Sequence, residues 1–292
     1  MARKNTVLTD IDTPHYGYLQ AIIMSFFSQR LYVDVGKRWR GLAIIYLLLL
    51  MFIVAIPLSI RIAHDFNTFF DQQIIQPLQK MPTFYVQNGE VSFDKPMPYL
   101  VKNDQGQVVA AIDTTGSINA MSNQYPQMTT LITKNKFIFR LPSPNFFFTK
   151  KITDSSHSAI YVQELSPATN EVFNGSKWVA NNGFSRLKLV SVAIIYPMIA
   201  MMFFVIHLIL SLVFAMMAQL IAMLFFKFKI TYKQACRLLI VSSTPHAFAL
   251  QIVLTWMILF TGIGFLLTAL VAVYLCYAII SLKRASNKLV FK

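Results

Sequence analysis

The chain has 292 residues, of which 55% are hydrophobic and only 13% are charged, and its mean hydropathy is +0.53. Because soluble globular domains carry about 25% charged residues, this composition excludes an ordinary soluble protein and predicts an integral membrane protein. The net charge of +14 does not predict nucleic-acid binding, since the basic residues flank apolar runs as they do on the cytoplasmic side of membrane proteins.

Residues 1–40 are predicted to form a cytoplasmic N-terminal region with a helix at the membrane interface. Within residues 15–35, apolar side chains recur at a helical spacing, at Leu19, Ile22, Ile23, Phe26 and Phe27. A helix lying in the bilayer interface and a helix packed on the underside of the bundle both fit this stripe.

Residues 41–60 are the first predicted transmembrane helix. These residues contain no charge, and about 20 apolar residues are needed to cross a bilayer. Pro57 predicts a kink or an end near the far side of the helix. The flanking basic residues and tryptophan place its N-terminus in the cytoplasm, and the predicted anchors at the level of the lipid headgroups are Lys37, Arg38, Trp39 and Arg40.

Residues 61–188 are predicted to form an extracytoplasmic β-rich domain between the first and second transmembrane helices. Residues 64–80 have a helical pattern, and the rest alternates short β-type segments with turn residues. The predicted hairpins pair residues 83–86 with 90–93 around Asn88-Gly89, 98–101 with 107–113, and 128–133 with 137–141. Residues 146–148 and 159–163 are predicted to continue the sheet.

Residues 189–226 form an uncharged run that is too long for one simple span and barely long enough for two. A single crossing places the basic residues of 227–237 and of the tail, 283–292, on the same side as the N-terminus. Two crossings would place them outside. The positive-inside rule therefore favours one long second helix, which either projects beyond the hydrocarbon core or is broken near Pro197.

The last uncharged run is predicted to form the third and fourth transmembrane helices, residues 238–260 and 265–282, separated by a turn at Thr261–Gly264. The predicted fold is therefore an α-helical integral membrane protein with four transmembrane helices and both termini in the cytoplasm. Its predicted location is a cytoplasmic (inner) membrane. Further interface anchors are predicted in the basic cytoplasmic turn, residues 227–237, at Lys227, Lys229, Lys233 and Arg237.

Polar residues inside the predicted spans are candidate functional residues, because polar groups are costly to bury in lipid. The predicted site contains Gln219, Ser243, Thr244, Pro245 and His246. Pro245 frees a backbone carbonyl near residue 241, which the neighbouring hydroxyl groups are expected to satisfy. The stretch is then either a structural kink or a broken helix that lines a cavity.

Counting the helical rise from the cytoplasmic ends of the predicted spans gives the depth of each polar side chain in the bilayer. This counting places His207 at about 29 Å, His246 at about 13 Å and Gln219 at about 10 Å. It predicts that the two histidines do not meet and that Gln219 is the neighbour of His246.

No catalytic, cofactor or metal site is predicted. Cys236 and Cys276 lie in or beside apolar runs and form no metal-binding or disulfide pattern. Residues 113–116, Asp-Thr-Thr-Gly, resemble the Asp-Thr-Gly of aspartic proteases, but the spacing is wrong by one residue and the chain has no second copy. A turn after a strand is the prediction there. The sequence also has no glycine-rich phosphate loop and no HExxH or GxSxG motif.

Several segments resemble an uncharacterised bacterial membrane protein family, a domain of unknown function that is distantly grouped with Yip-type membrane proteins. The resemblance rests on Ser25–Ser28, Arg38–Gly41, Gly89–Tyr99, Ala110–Gly116, Thr231–Ala235 and Ser243–Pro245. Eukaryotic Yip proteins act in membrane traffic with Rab GTPases. The resemblance implies at most a shared fold, because one fold serves many functions.

The leading hypothesis is a non-enzymatic membrane protein whose extracytoplasmic domain binds an envelope protein or another ligand, as a scaffold, accessory protein or sensor. Its basic cytoplasmic face is expected to hold anionic lipid headgroups of the bilayer. The alternative is a transport or lipid-handling component that uses the broken helix around Pro245 and His246. A membrane enzyme ranks third, no cofactor or nucleic acid is expected, and self-association into a homo-oligomer is left open.

Overall fold

The computed structural model describes residues 13–121, 124–140 and 160–290. The chain divides into two compact units, one made of residues 1–61 and 195–292 and the other of residues 62–194. The predicted strand at 146–148 lies outside the described residues. The described helices are α1 (Tyr18–Met24), α2 (Gln29–Lys37), α3 (Ile44–Val54), α4 (Ile56–Phe70), α5 (Gln76–Lys80), α6 (Gly175–Asn181), α7 (Phe184–Leu224), α8 (Tyr232–Ser242), α9 (Thr244–Trp256) and α10 (Ile263–Val290).

Helices of membrane-spanning length account for most of the first unit. Both α7 and α10 are long and apolar enough to cross a membrane. Two further pairs of helices are long and apolar enough to cross a membrane when each pair is counted as one bent span. These pairs are α3 with the helical segment Ile56–Lys80, bent by 45°, and α8 with α9, bent by 40°. The described residues therefore contain two such spans, or up to four if each bent pair is one span.

Both bends lie beside a proline. Pro57 is in the first turn of α4, which confirms the predicted kink, and Pro245 is in the first turn of α9. The first residues of a helix have no intrahelical partner for their N–H groups, so proline costs little there. The chain therefore bends at positions where proline costs few backbone hydrogen bonds.

Helix α7 runs without interruption through Pro197, so the over-long helix is observed and not the broken one. Its 41 residues extend for about 61 Å, roughly twice the thickness of a bilayer core. Many of its apolar side chains are exposed, including Leu189, Met198 and Phe214. A helix that is apolar on all sides and exposed in this way suits a lipid environment.

Three predicted boundaries differ from the structure. The apolar stripe of residues 15–35 forms two helices instead of one, because Ser28 caps the N-terminus of α2 through the Leu31 N–H. The basic segment 227–237 is turn only up to Thr231, which forms a capping box with Gln234 and starts α8. The last loop begins at Met257, where a φ of 55° ends α9, so Gly264 lies inside α10.

The second unit contains two β-sheets. Their strands are β1 (Phe84–Gln87), β2 (Glu90–Ser92), β3 (Tyr99–Lys102), β4 (Val108–Asp113), β5 (Thr130–Thr133), β6 (Lys136–Arg140), β7 (Ile160–Glu164) and β8 (Glu171–Phe173). One sheet has the order β2-β1-β8 and the other β3-β4-β5-β6-β7. The antiparallel pairs β1·β2, β3·β4 and β5·β6 confirm the three predicted hairpins, whereas the parallel pair β4·β5 was not predicted.

The five-stranded sheet has buried apolar side chains on both faces. In β4, Ala110 and Ile112 belong to one core cluster and Ala111 to another, because successive residues of a strand point to opposite faces. The first cluster also contains Phe84 and Val86 of β1, so it joins the two sheets. Strand β4 is therefore the centre of the β-rich unit.

The last elements of the second unit, β8 and α6, pack against β1 and α5 through aromatic rings and one close backbone contact. Phe173 of β8 stacks on Phe84 at 4.8 Å and lies 5.9 Å from Trp178 of α6. A Cβ atom on Gly175 would lie 1.8 Å from the carbonyl oxygen of Leu78. Only glycine permits α6 to approach the end of α5 this closely.

Candidate functional site

Hydroxyl side chains satisfy the backbone where α8 meets α9. Thr244 Oγ1 donates to the carbonyl oxygen of Val241 at 2.8 Å, which is the carbonyl that Pro245 leaves without its helical partner. The Oγ atoms of Ser242 and Ser243 donate in the same way to carbonyls one turn earlier. The prediction that Ser and Thr residues re-satisfy the break is confirmed.

A buried hydrogen bond connects this break to α3. The hydroxyls of Tyr46 and Thr244 lie 2.6 Å apart, and neither side chain is exposed. The Thr244 proton is already donated to Val241, so Tyr46 must be the donor to Thr244. Trp39 packs edge-on against the Tyr46 ring at 5.6 Å. The break is therefore held in a fixed position against α3.

The structure brings His207 and His246 together, which the depth counting excluded. Their ring centroids are 5.8 Å apart. The counting was wrong because it placed Phe226 and Arg237 at one level. The chain after α7 turns back along that helix, and the Tyr232 hydroxyl at the start of α8 donates to the Leu212 carbonyl oxygen at 2.8 Å.

Gln219, which was predicted to be the neighbour of His246, supports this turn instead. Its Nε2 atom donates to the carbonyl oxygen of Ile230 at 3.0 Å. That contact lies on the returning segment, so the Gln219 side chain holds the segment against α7. Of the predicted polar site, Ser243, Thr244, Pro245 and His246 form one group, and Gln219 lies apart from it.

Four buried polar atoms in or beside α9 have no hydrogen-bond partner among the described residues. They are Nε2 of His207, Nδ1 of His246, Oε1 of Gln251 and Oγ1 of Thr255. His207 Nδ1 must donate to the Phe203 carbonyl oxygen, at 2.9 Å, so a neutral His207 has a free acceptor at Nε2. His207 is 7% exposed and Gln251 is 4% exposed. Buried polar atoms without a partner are uncommon, and each needs an explanation beyond packing.

Neither His207 nor Gln251 was part of the predicted site. The sequence signal for both was present, because each is a polar residue inside an uncharged run. The predicted depth of His207 in the bilayer was the only reason to exclude it from the predicted site. Among the described residues, His, Cys, Asp and Glu side chains form no group of three or more that suits a metal ion.

The predicted interface anchors fall into two classes. Trp39 and Arg237 are buried, so they stabilise the bundle from inside and do not reach lipid headgroups. Arg237 donates to the carbonyl oxygens of Gly36 and Trp39, which lie at the C-terminal end of α2 and need donors. The remaining anchors are exposed, as an interface role requires: Lys37, Arg38, Arg40, Lys227, Lys229 and Lys233.

Asp34 is a buried acidic residue that the sequence reasoning missed. Its carboxylate accepts hydrogen bonds from the N–H groups of His15 and Tyr16, from Arg38 Nη1 at 3.2 Å and from Trp39 Nε1 at 3.2 Å. The signal was a single acidic residue inside the apolar stripe, followed four residues later by an arginine. Asp34 thereby fixes the chain before and after α2.

Asp113 forms a turn after β4, as predicted. Its carboxylate accepts from the N–H and the hydroxyl of Thr115 and from the N–H of Ile118. Burial alone would raise the pKa of the Asp113 carboxyl, but these hydrogen bonds hold that pKa below its ordinary value. A carboxylate satisfied by its own loop has little capacity left for substrate.

The bond between Tyr46 and Thr244 predicts unequal effects of two substitutions. Tyr46→Phe removes the donor but leaves Thr244 bonded to Val241, so we expect a loss of about 1 kcal/mol of stability. Thr244→Val removes the Thr244 hydroxyl that both the Tyr46 hydroxyl and the Val241 carbonyl bind, so we expect a loss of about 2–3 kcal/mol of stability. Thermal unfolding of the detergent-solubilised protein measures both, and equal effects would contradict the assigned donor.

A comparison with protein families matches residues 19–280 to a family described as protein of unknown function, DUF1189. No curated protein and no solved structure matches the chain. The family match spans α1 through most of α10 and includes the break between α8 and α9. Since it covers most of the sequence, the chain belongs to the DUF1189 family.

Proposed function

We propose that this chain is a non-enzymatic, four-span protein of the bacterial cytoplasmic membrane whose β-rich domain lies outside and binds an extended polypeptide of the envelope. The four spans are α7, α10 and the two bent pairs. Both termini lie in the cytoplasm, where the six exposed basic anchors face anionic lipid. The distant grouping with Yip-type membrane proteins is proposed for the fold alone.

The observation that carries the proposal is strand β7. All five of its residues are exposed, among them Ile160, Tyr161 and Val162, and it is the last strand of the five-stranded sheet. Soluble domains usually protect such an apolar edge with charge, proline or a bulge. An extended polypeptide that adds as a further strand would pair with the side of β7 that has no strand neighbour among the described residues, and it would cover the apolar side chains.

The alternative, a transport or lipid-handling component, is favoured by the His207–His246 pair. A pair of imidazoles with buried, unsatisfied nitrogens, beside a break in a spanning helix, is a known kind of proton path in membrane proteins. Proton movement is the first flux to test, because histidine is the side chain that changes charge near neutral pH.

The proposed topology predicts which lysine positions are reachable from outside the cell. In a background with Cys236→Ala and Cys276→Ala, we expect Lys136→Cys to react with a membrane-impermeant maleimide on intact cells. Lys233→Cys should react only after permeabilisation, because it lies in the first turn of α8, on the proposed cytoplasmic side. Labelling of Lys233→Cys from outside would contradict the four-span arrangement.

The β7 edge predicts position-dependent crosslinking. We expect a photoreactive benzoylphenylalanine at Tyr161 to form a protein adduct in native membranes. The same group at Tyr85, an exposed tyrosine on the central strand β1 of the other sheet, should form none. Val162→Lys should weaken the adduct by placing a charge at the apolar edge, whereas Val172→Lys on β8 should not. Equal adducts at both tyrosines, or none at Tyr161, would contradict the proposal.

The transport alternative predicts a histidine-dependent proton flux. In proteoliposomes with an internal pH-sensitive dye, His207→Ala and His246→Ala should each abolish proton entry, because the pair acts as a unit. His64→Ala is the matched control, since His64 is an exposed histidine outside the pair. Absence of flux in the unaltered protein, or equal flux in all three variants, excludes this alternative.

A further inference from the structure

A cavity of about 760 Å³ lies between α2, the C-terminal part of α10 and the residues before α1. Its volume is within the range of small-molecule sites, about 300–1,000 Å³. Three arginines line it, and its other polar side chains include an amide on each helix: Arg30, Arg38, Arg284, Gln29 and Asn287. The cavity is therefore rich in hydrogen-bond donors.

The positive charge of this cavity is not neutralised within the described residues. Arg38 pairs with Asp34, but the ion pairs include neither Arg30 nor Arg284. The Asp34 carboxylate is already engaged by Arg38, Trp39 and two backbone N–H groups. Helix α10 cannot supply an acidic partner, because the chain has no Asp or Glu after Lys188.

We propose that this cavity binds the phosphate group of a molecule with net negative charge. The arginine guanidinium presents a planar fork of donors that matches phosphate oxygens, and such charge-assisted bonds are about twice as strong as neutral ones. Arg30 from α2 and Arg284 from α10 approach the cavity from different helices, which allows one anion to bridge them. Neither arginine was among the predicted interface anchors.

The surroundings identify two sources of that phosphate, a lipid headgroup and a soluble phosphate compound. Arg284 follows the apolar run of α10, so the cavity lies where a spanning helix reaches the membrane surface. The apolar side chains of Leu19, Ile23 and Phe27 are exposed, and the Tyr277 hydroxyl of α10 donates to the Phe27 carbonyl oxygen at 3.0 Å. A lipid held by its phosphate would lay its acyl chains on this surface.

Isothermal titration calorimetry on the full-length protein in a neutral detergent tests the site with three probes. They are short-chain phosphatidylglycerol, short-chain phosphatidylcholine and inorganic pyrophosphate. We expect Arg30→Gln/Arg284→Gln to raise the Kd of the bound anion by about tenfold or more. The matched control, Lys177→Gln/Arg186→Gln, removes the same charge at exposed positions that are neither in the cavity nor among the anchors, and it should change the Kd by less than about twofold.

The probes distinguish the sources. Binding of phosphatidylglycerol alone identifies a lipid headgroup, and binding of pyrophosphate identifies a soluble phosphate compound. The proposal is overturned if neither anion binds, if phosphatidylcholine binds as tightly, or if both double variants lose affinity equally. Arg284→Lys is a second variant that keeps the positive charge but not the planar fork of donors. Its Kd for the bound anion should lie between those of the unaltered and the double-variant protein.

The site rests on the proposed membrane setting but is independent of the envelope partner. Measuring the Tyr161 crosslink in the Arg30→Gln/Arg284→Gln protein distinguishes a failure of the phosphate site from a failure of the proposed envelope partner. A retained crosslink with lost anion affinity supports a phosphate site and shows that the variant folds. A lost crosslink with retained affinity contradicts the proposed function alone.

Discussion

The guanidinium of Arg237 closes the C-terminal end of α2, and the helical unit is arranged around this contact. A helix end that is buried must find donors for its last carbonyl groups. Arg237 of α8 donates to the carbonyl oxygens of Gly36 and Trp39, and its charge complements the negative end of the helix dipole. Gln234 adds a further bond to Gly36 at 3.0 Å. On the other side, Gly36 lies so close to Leu282 of α10 that a Cβ would meet that side chain at 2.8 Å.

Asp34 completes this arrangement, because Trp39 connects the two buried charges. The Trp39 carbonyl accepts from Arg237, and the Trp39 indole N–H donates to Asp34, which is 2% exposed. A buried cation and a buried anion therefore share one intermediate residue, and both Nη atoms of Arg237 and the Asp34 carboxylate form hydrogen bonds. Among the described residues, the ion pairs include neither Arg30 nor Arg284 of the cavity. The Asp34 carboxylate that stabilises the bundle is thus not paired with either of these arginines.

Local features of the structure could be predicted from the sequence, and contacts between distant segments could not. The Asn88-Gly89 hairpin needs only its own turn geometry and the apolar segments beside it. The parallel pair β4·β5 depends on how the chain from 114 to 129 crosses the sheet, and no local pattern encodes that. The burial of Trp39 and Arg237 was missed for a similar reason, since basic and aromatic residues near a span have the same sequence pattern whether they face lipid or cap a helix.

At the break between α8 and α9, two sets of polar side chains differ in their hydrogen bonding. The hydroxyls of Ser243, Thr244 and Tyr46 satisfy the backbone that Pro245 disrupts, so the kink needs no further partner. His207 and His246 contribute nothing to that satisfaction and keep unpartnered nitrogens instead. A purely structural kink would tolerate apolar residues at both histidine positions, because leaving polar atoms unpaired in an apolar bundle is costly. The two histidines are therefore the part of this site that a kink does not explain.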